Sequence, residues 1–282
     1  MPALIDIRRR IRSVRNTEQI TKAMKMVSAA KLRRAQEAMF AARPYAHRME
    51  SVLQSLAVRT DPEGHPLLRS RRGPKTLLLV VTADKGLCGG FNANIVRAAL
   101  RFLEKRPKDS ARLMLIGRKG RDAMRRQPYQ VQSERVGIFH RLRYESAKDV
   151  ARETMASFID GTYDEVHLLY NEFKSVIQQR IVAKRLLPIP RLKVASGEML
   201  ADYLFEPDPA EIFQRLLPRY VEVLVWHAFL ESAAAEHGAR MAAMDAATNN
   251  ASEMIDRLTL HMNKVRQAAI TKEIIEVVSG AG

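Results

Sequence analysis

The sequence has 282 residues, with 47 Lys and Arg against 31 Asp and Glu, a formal charge of +16 and a hydrophobic share of 46%. No run approaches the ~18 consecutive apolar residues of a membrane span, and the opening MPALIDIRRR lacks the apolar core of a signal peptide, so neither insertion nor export is expected. The single cysteine, Cys88, excludes an internal disulfide and a cysteine-based zinc site and fits a reducing compartment.

Residues 3–58 contain no glycine and one internal proline, Pro44. Apolar residues recur at Leu4, Ile7, Ile11 and Val14, then at Ile20, Met24 and Val27, and after a polar middle at Ala38, Ala42, Tyr45, Met49, Val52 and Leu56. This spacing predicts one long helix with a single apolar seam. Residues 1–60 carry a net charge of +9, which calls for an acidic protein surface, a nucleic acid or an anionic membrane face. Asp61-Pro62-Glu63-Gly64-His65-Pro66 is a break, and 69–74 reads as an exposed linker.

The period then changes. TLLLVVT at 76–82 is a continuous apolar run with β-branched members, the pattern of a buried parallel strand. A glycine-rich turn at 84–92 follows, then a helix at 92–105, a strand at 112–116, a short helix at 119–126, a strand at 129–136, a helix at 147–159 ending at Gly161, a strand at 165–171 and a further one at 181–188. Alternating strands and helices predict a mainly parallel sheet covered by helices.

Asp208, Pro209 and Glu211 form a helix-start signal, with Glu211 placed to reach back to the cap. Met241, Met244, Thr248, Ala251, Ile255, Leu258, Met262, Val265 and Ala269 then keep alternating steps of three and four, a coiled-coil seam. From residue 209 onward the net charge is −2. Pro44 and Pro218 are each expected to bend or interrupt their helix. A helix of about 70 residues is roughly 100 Å long, whereas a compact globule of this length is about 50 Å across, so much of it projects as a rod. The fold class is therefore α/β: a long antiparallel coiled coil of the terminal helices, 1–60 with 208–282, plus a central Rossmann-like, mainly parallel α/β domain at 75–195. The N-terminal helix is shorter by roughly 14 residues, or about 20 Å, leaving 268–282 as an apolar overhang that needs a second partner.

No catalytic constellation stands out. The loop DKGLCGGFN at 84–92 sits where phosphate-binding loops occur, but lacks both GxxxxGK[ST] and GxGxxG, which favours a structural turn over a nucleotide-using enzyme. Cys88 has no histidine at a telling spacing, and His227, His237 and His261 lie at no metal-binding step, so catalytic and metal sites and cofactors are all expected to be none. The basic stretch at 8–15 resembles a DNA-reading helix in charge alone; it has almost no interleaved aromatics, and Ile7, Ile11 and Val14 belong to the seam. A coiled coil that binds nucleic acid stays open on these residues beside a mechanical part of an assembly.

ITKAMKMVSAAKLRRAQ at 20–36, DKGLCGGFN, ARMAAMDAATNNA at 239–251 and VRQAAITKEIIEVVSGA at 265–281, in that order, resemble the gamma subunit family of F-type ATP synthases. The last stretch fits the family's ending at Thr271, Glu273, Glu276, Gly280 and Ala281; the middle, 101–193, matches only in its strand and helix pattern. The resemblance implies a non-catalytic rotor: a central stalk whose coiled coil runs up the axis of the hexamer of alpha and beta subunits, and whose base meets the epsilon subunit and the ring of c subunits. Proton flow would turn it, driving the beta sites through different nucleotide affinities. By matching position, the basic arm with Arg8 and Arg9, together with Met24 and Lys25, would face the acidic loop of the beta subunits. Arg266, Gln267, Thr271 and Glu273 would make polar contacts with the ring, and Ile274 and Val277 would enter its hydrophobic sleeve. The resemblance implies no nucleic acid partner and membrane association through the complex only, at the cytoplasmic face of a bacterial plasma membrane in preference to a mitochondrial inner membrane. The paired-cysteine insertion of chloroplast forms is missing, and Pro218 departs from the smooth helix expected there.

Overall fold

The computed structural model describes residues 2–59, 65–71, 73–176, 178–190, 206 and 208–280. The predicted break at Asp61-Pro62-Glu63-Gly64, Arg72 in the linker, Ala281 of the terminal motif and the side chain of Val278 lie outside the described residues.

Two helices dominate: α1, Pro2–Arg59, and α5, Pro209–Ser279. They run antiparallel, with Thr21 against Thr248 (Oγ1 to Oγ1, 2.8 Å) and Lys25 Nζ against Asp245 Oδ1 (2.6 Å). This register sets Leu4 opposite about Val265 and leaves roughly the last dozen residues of α5 unpaired, close to the predicted overhang. The seam of α5 lies where the spacing placed it: Met244 and Ala251 are buried, and Thr248, Ile255, Leu258, Met262, Val265 and Ala269 are half-buried.

The seam of α1 departs from expectation. It holds the three-four step without a gap through Leu4, Ile7, Ile11, Val14, Glu18, Thr21, Lys25, Ser28, Leu32, Ala35, Met39, Ala42, Ala46, Met49, Leu53 and Leu56. Ile20 and Val27 are 60% and 56% exposed, and Tyr45 and Ala38 also face outward. Polar residues keep the phase because their groups are paired across or along the helices: Thr21 bonds Thr248, Lys25 bonds Asp245, and Ser28 donates to the Met24 carbonyl (2.8 Å).

Neither internal proline breaks its helix. Pro218 has no N–H for the carbonyl of Gln214, one turn earlier, yet α5 runs on through it, with Leu217 and Val221 on either side buried in the core. Asp208 caps α5 as predicted, accepting from Ala210 N–H at 3.0 Å. Glu211, expected to complete a capping box, pairs forward with Arg215 (2.5 Å).

Between the helices lie β1 (Thr76–Val81), α2 (Phe91–Glu104), β2 (Ala111–Ile116), α3 (Arg118–Met124), β3 (Gln130–Arg135), α4 (Tyr144–Ile159), β4 (Glu165–Phe173) and β5 (Gln179–Leu187). The sheet order is β3-β2-β1-β4-β5; the first four strands are parallel and β5 is antiparallel to β4. Alternation along β1 divides two cores. Leu78 and Val80 pack with Ile95, Ala99 and Leu103 of α2 and Met124 of α3. Leu77, Leu79 and Val81 share a second cluster with α4 and the lower rod, including Leu53 and Leu56 of α1 and Leu217, Val221 and Phe229 of α5. One face of the sheet thus roots the rod, and from about Met241 onward α5 is covered mainly along its seam with α1. The linker contributes too: Arg71 donates to the carbonyls of Phe158, Ile159 and Tyr163 at the end of α4.

Candidate functional site

The sites that could hold chemistry are closed. In the loop after β1, Asp84 Oδ1 accepts from the N–H groups of Arg118 (3.0 Å) and Gly137 (2.9 Å), which ties the ends of β1, β2 and β3 together. Gly117, at φ 95°, lies so near the Thr82 carbonyl that a Cβ would sit 2.1 Å from its oxygen. The loop docks on α5, where Arg240 donates to the carbonyls of Gly86 (3.2 Å) and Lys85 (3.4 Å). Cys88 is buried, and burial pushes its thiol up, away from the reactive thiolate. Burial also lowers His227, and lowers His237 to about 4 with help from Arg240 and Lys31, so both rings are neutral near pH 7. Among the described residues no cluster of His, Cys, Asp and Glu could hold a metal ion, and no helix is long and apolar enough to cross a membrane.

What remains is the surface of the rod, and it falls into two bands. The upper band holds Arg8 and Arg9 on α1 with Arg266 and Gln267 on α5, all exposed, and continues into the overhang with Thr271 and Glu273. There Ile274, Ile275 and Val277 are 58%, 60% and 71% exposed. About 24 Å down α1, the second band gathers half-buried Met24 and Lys25 beside exposed Ile20, Met26 and Val27. Lys25 is already engaged by Asp245, so it presents an ion pair rather than a lone cation. Sequence reasoning assigned Ile20 and Val27 to the seam and left Met26 out of the site. The signal that finds them is the phase: steps of three and four counted from Leu4 fall on Thr21, Lys25 and Ser28 instead. Because Ile7 and Ile11 are buried, the arginines between them, Arg8, Arg9 and Arg10, point outward as a cationic stripe.

At the root of the rod, a cleft of about 560 Å³ opens between α1, α4 and α5, with Lys148, Arg152 and Arg219 around Glu222 and with Tyr45, Tyr144 and Trp226 as aromatic walls. The Tyr144 hydroxyl there donates to Glu222 (2.9 Å), and burial and then Glu222 push the phenol up to about 12, so the proton stays on it near pH 7.

A long rod of paired termini rooted on a sheet, with apolar side chains turned outward along it and at its unpaired end, is the architecture of a stalk. Comparison with known proteins makes this specific. The family model described as ATP synthase matches residues 3–282. The chain is 53% identical over 285 residues to the ATP synthase gamma chain of Solibacter usitatus, covering 100% of this chain and 99% of the relative, and 50% identical over 283 residues to that of Geotalea uraniireducens, covering 100% and 98%. Among solved structures it is similar to a chain of the Tetrahymena thermophila mitochondrial ATP synthase central stalk and c-ring, at 29% identity and TM-score 0.64 over 81% of this chain and 99% of that one. A chain of the Euglena gracilis mitochondrial ATP synthase, at 18% identity and TM-score 0.70 over 99% and 94%, shares the fold. The chain belongs to the ATP synthase gamma chain family, the central stalk of the F-type enzyme, and is bacterial in type.

Proposed function

We propose that the chain turns as a shaft between a proton-driven ring and a hexamer of alpha and beta subunits, with the lower and central parts, 75–195, as its base and the paired termini, 1–60 and 208–282, as its rod. The base would ride on the c-subunit ring and meet the epsilon subunit, and the whole would sit peripherally at the cytoplasmic face of the bacterial plasma membrane. Proton flow turns the shaft, and the beta sites make ATP; the reverse direction hydrolyses ATP and pumps protons.

The observation that carries this reading is the grouping of exposed apolar side chains on the rod, beyond the scattered ones such as Ile5, Phe40, Met254 and Leu260. Ile274, Ile275 and Val277 occupy the unpaired end, and Ile20, Met26 and Val27 one stretch of α1. Exposed apolar surface of this kind marks contact with other proteins. Because the stretch lies on α1 and not on α5, the rod offers different surfaces in different directions. A one-sided rod inside three equivalent subunits binds each differently, so it favours a different conformation in each, and turning it permutes them. In this reading Ile274 and Val277 fill an apolar sleeve, Arg266, Gln267, Thr271 and Glu273 make polar contacts around it, and Arg8, Arg9, Met24 and Lys25 face acidic groups of the beta subunits.

Affinity purification of the chain from its own cell membranes tests this. One copy should emerge with three copies each of two larger nucleotide-binding subunits; recovery of the intact chain without them overturns the reading.

A further inference from the structure

Where α5 crosses the sheet it buries four charged side chains, Glu222, Glu231, Glu236 and Arg240. Charged residues are rarely buried this deeply, and a buried ion pair is often no more stabilising than apolar side chains of the same volume. Stability alone therefore does not explain a ladder of them on one helix.

Three of them tie α5 to the globular base by hydrogen bonds. Glu222 Oε2 accepts from the Tyr144 hydroxyl of α4 at 2.9 Å, and Arg152 of the same helix stands 3.9 Å from its other oxygen. Burial and then Glu222 push the Tyr144 phenol up to about 12, so the proton stays on the donor. Glu231 Oε2 accepts from the backbone N–H of Phe173, the last residue of β4, at 2.8 Å. Its Oε1 faces Arg43 of α1 (3.6 Å) and His227 (3.5 Å). Arg240 donates to two backbone carbonyls of the loop after β1, with Glu236 holding the guanidinium at 2.7 Å. From Glu222 to Arg240 these anchors span about 27 Å of helix.

Apolar packing is non-directional and lets a helix roll about its axis. A hydrogen bond weakens steeply as its angle closes, and two of these three anchors end on backbone atoms at the ends of sheet strands. We propose that Glu222, Glu231 and Arg240 are a torsional key: positioning residues that fix the rotation of α5 about its own axis against the globular base. Torque applied to the base then reaches the rod without being lost in twist. This rests on the stalk reading given above.

The test uses the assembled complex with the hexamer immobilised and a probe on the base. The variant Arg240→Met/Glu236→Gln removes one anchor without leaving a buried lone carboxylate. If the three anchors act in parallel with equal weight, one lost leaves about two thirds of the stiffness, and the angular variance of the probe rises roughly 1.5-fold. Protons pumped per ATP should fall, while the melting temperature of the free chain stays near that of the parent. The conservative Glu231→Gln, which keeps an acceptor for Phe173 N–H, should leave the variance near the parent value. Arg240→Lys keeps the charge facing Glu236 but loses the fork; it carries the same comparison should the first variant fail to assemble. An assembled variant with the parent's variance and pumping ratio overturns the key. Failure of the unmodified chain to turn at all would instead overturn the stalk reading, so the two failures are distinct.

Discussion

Replacing Ile274, Ile275 and Val277 together by serine separates folding from assembly. In the free chain these side chains are 58%, 60% and 71% exposed, so folding draws little on them. Serine lies close to isoleucine and valine in helix propensity, and the free chain should melt within about 2 °C of the parent. Full burial of such a side chain is worth about 1.5–3 kcal/mol. If a sleeve of partner subunits covers the exposed share, each residue contributes about 1–2 kcal/mol to assembly, or about 3–5 kcal/mol for the three. At about 1.4 kcal/mol per tenfold, the stalk should leave the hexamer roughly two to three and a half orders of magnitude faster. The assay is the retention of labelled stalk by the hexamer after dilution, alongside thermal unfolding of the free chain. Equal retention would refute the reasoning, as would a free chain that loses many degrees of stability, since the tip would then belong to this chain's own core.

Two further outcomes follow from the structure. Lys25→Ala removes a pair whose side chains are 42% and 48% exposed, so it should destabilise the free chain by no more than about 1 kcal/mol and by less at high salt; urea midpoints at two salt concentrations check this. His237 is lowered from 6.5 to about 4, chiefly by burial, so the unfolded chain takes up its proton first; this part of the stability is complete above about pH 6.5, is lost as pH falls toward 4 and levels off below it, on the order of 2–3 kcal/mol in all. His237→Gln should flatten that decline in a pH series of urea melts.

The repeating spacing of the two ends was enough to read the antiparallel rod, and the unbroken run at 76–82 enough to place a buried central strand. The misreading of α1 was one of phase. Hydrophobicity drew the seam through Ile20 and Val27, whereas the helix buries Thr21, Lys25 and Ser28, whose polar groups find partners in Thr248, Asp245 and the Met24 carbonyl. Apolar residues turned outward on a projecting rod are legible only if the step is counted strictly from Leu4. Pro218 was expected to disturb α5, but the packing that carries the helix past it, Leu217 and Val221 in the core beneath the sheet, is set by the tertiary fold and not by any local pattern. The torsional anchors were invisible too: Phe173 N–H and the carbonyls of Lys85 and Gly86 are backbone groups, brought to α5 only by the finished sheet. The polar residues proposed for the upper contacts, Arg266, Gln267, Thr271 and Glu273, do lie exposed together, since they follow within about two turns of one helix, across the end of α1 and just beyond it.

The decisive measurement is rotation. With the hexamer of alpha and beta subunits fixed to a surface and a bead on the base of this chain, ATP should drive the bead in one direction, pausing at each third of a turn because three equivalent sites surround one lopsided rod. A bead that stays still while the same complex hydrolyses ATP would contradict the shaft.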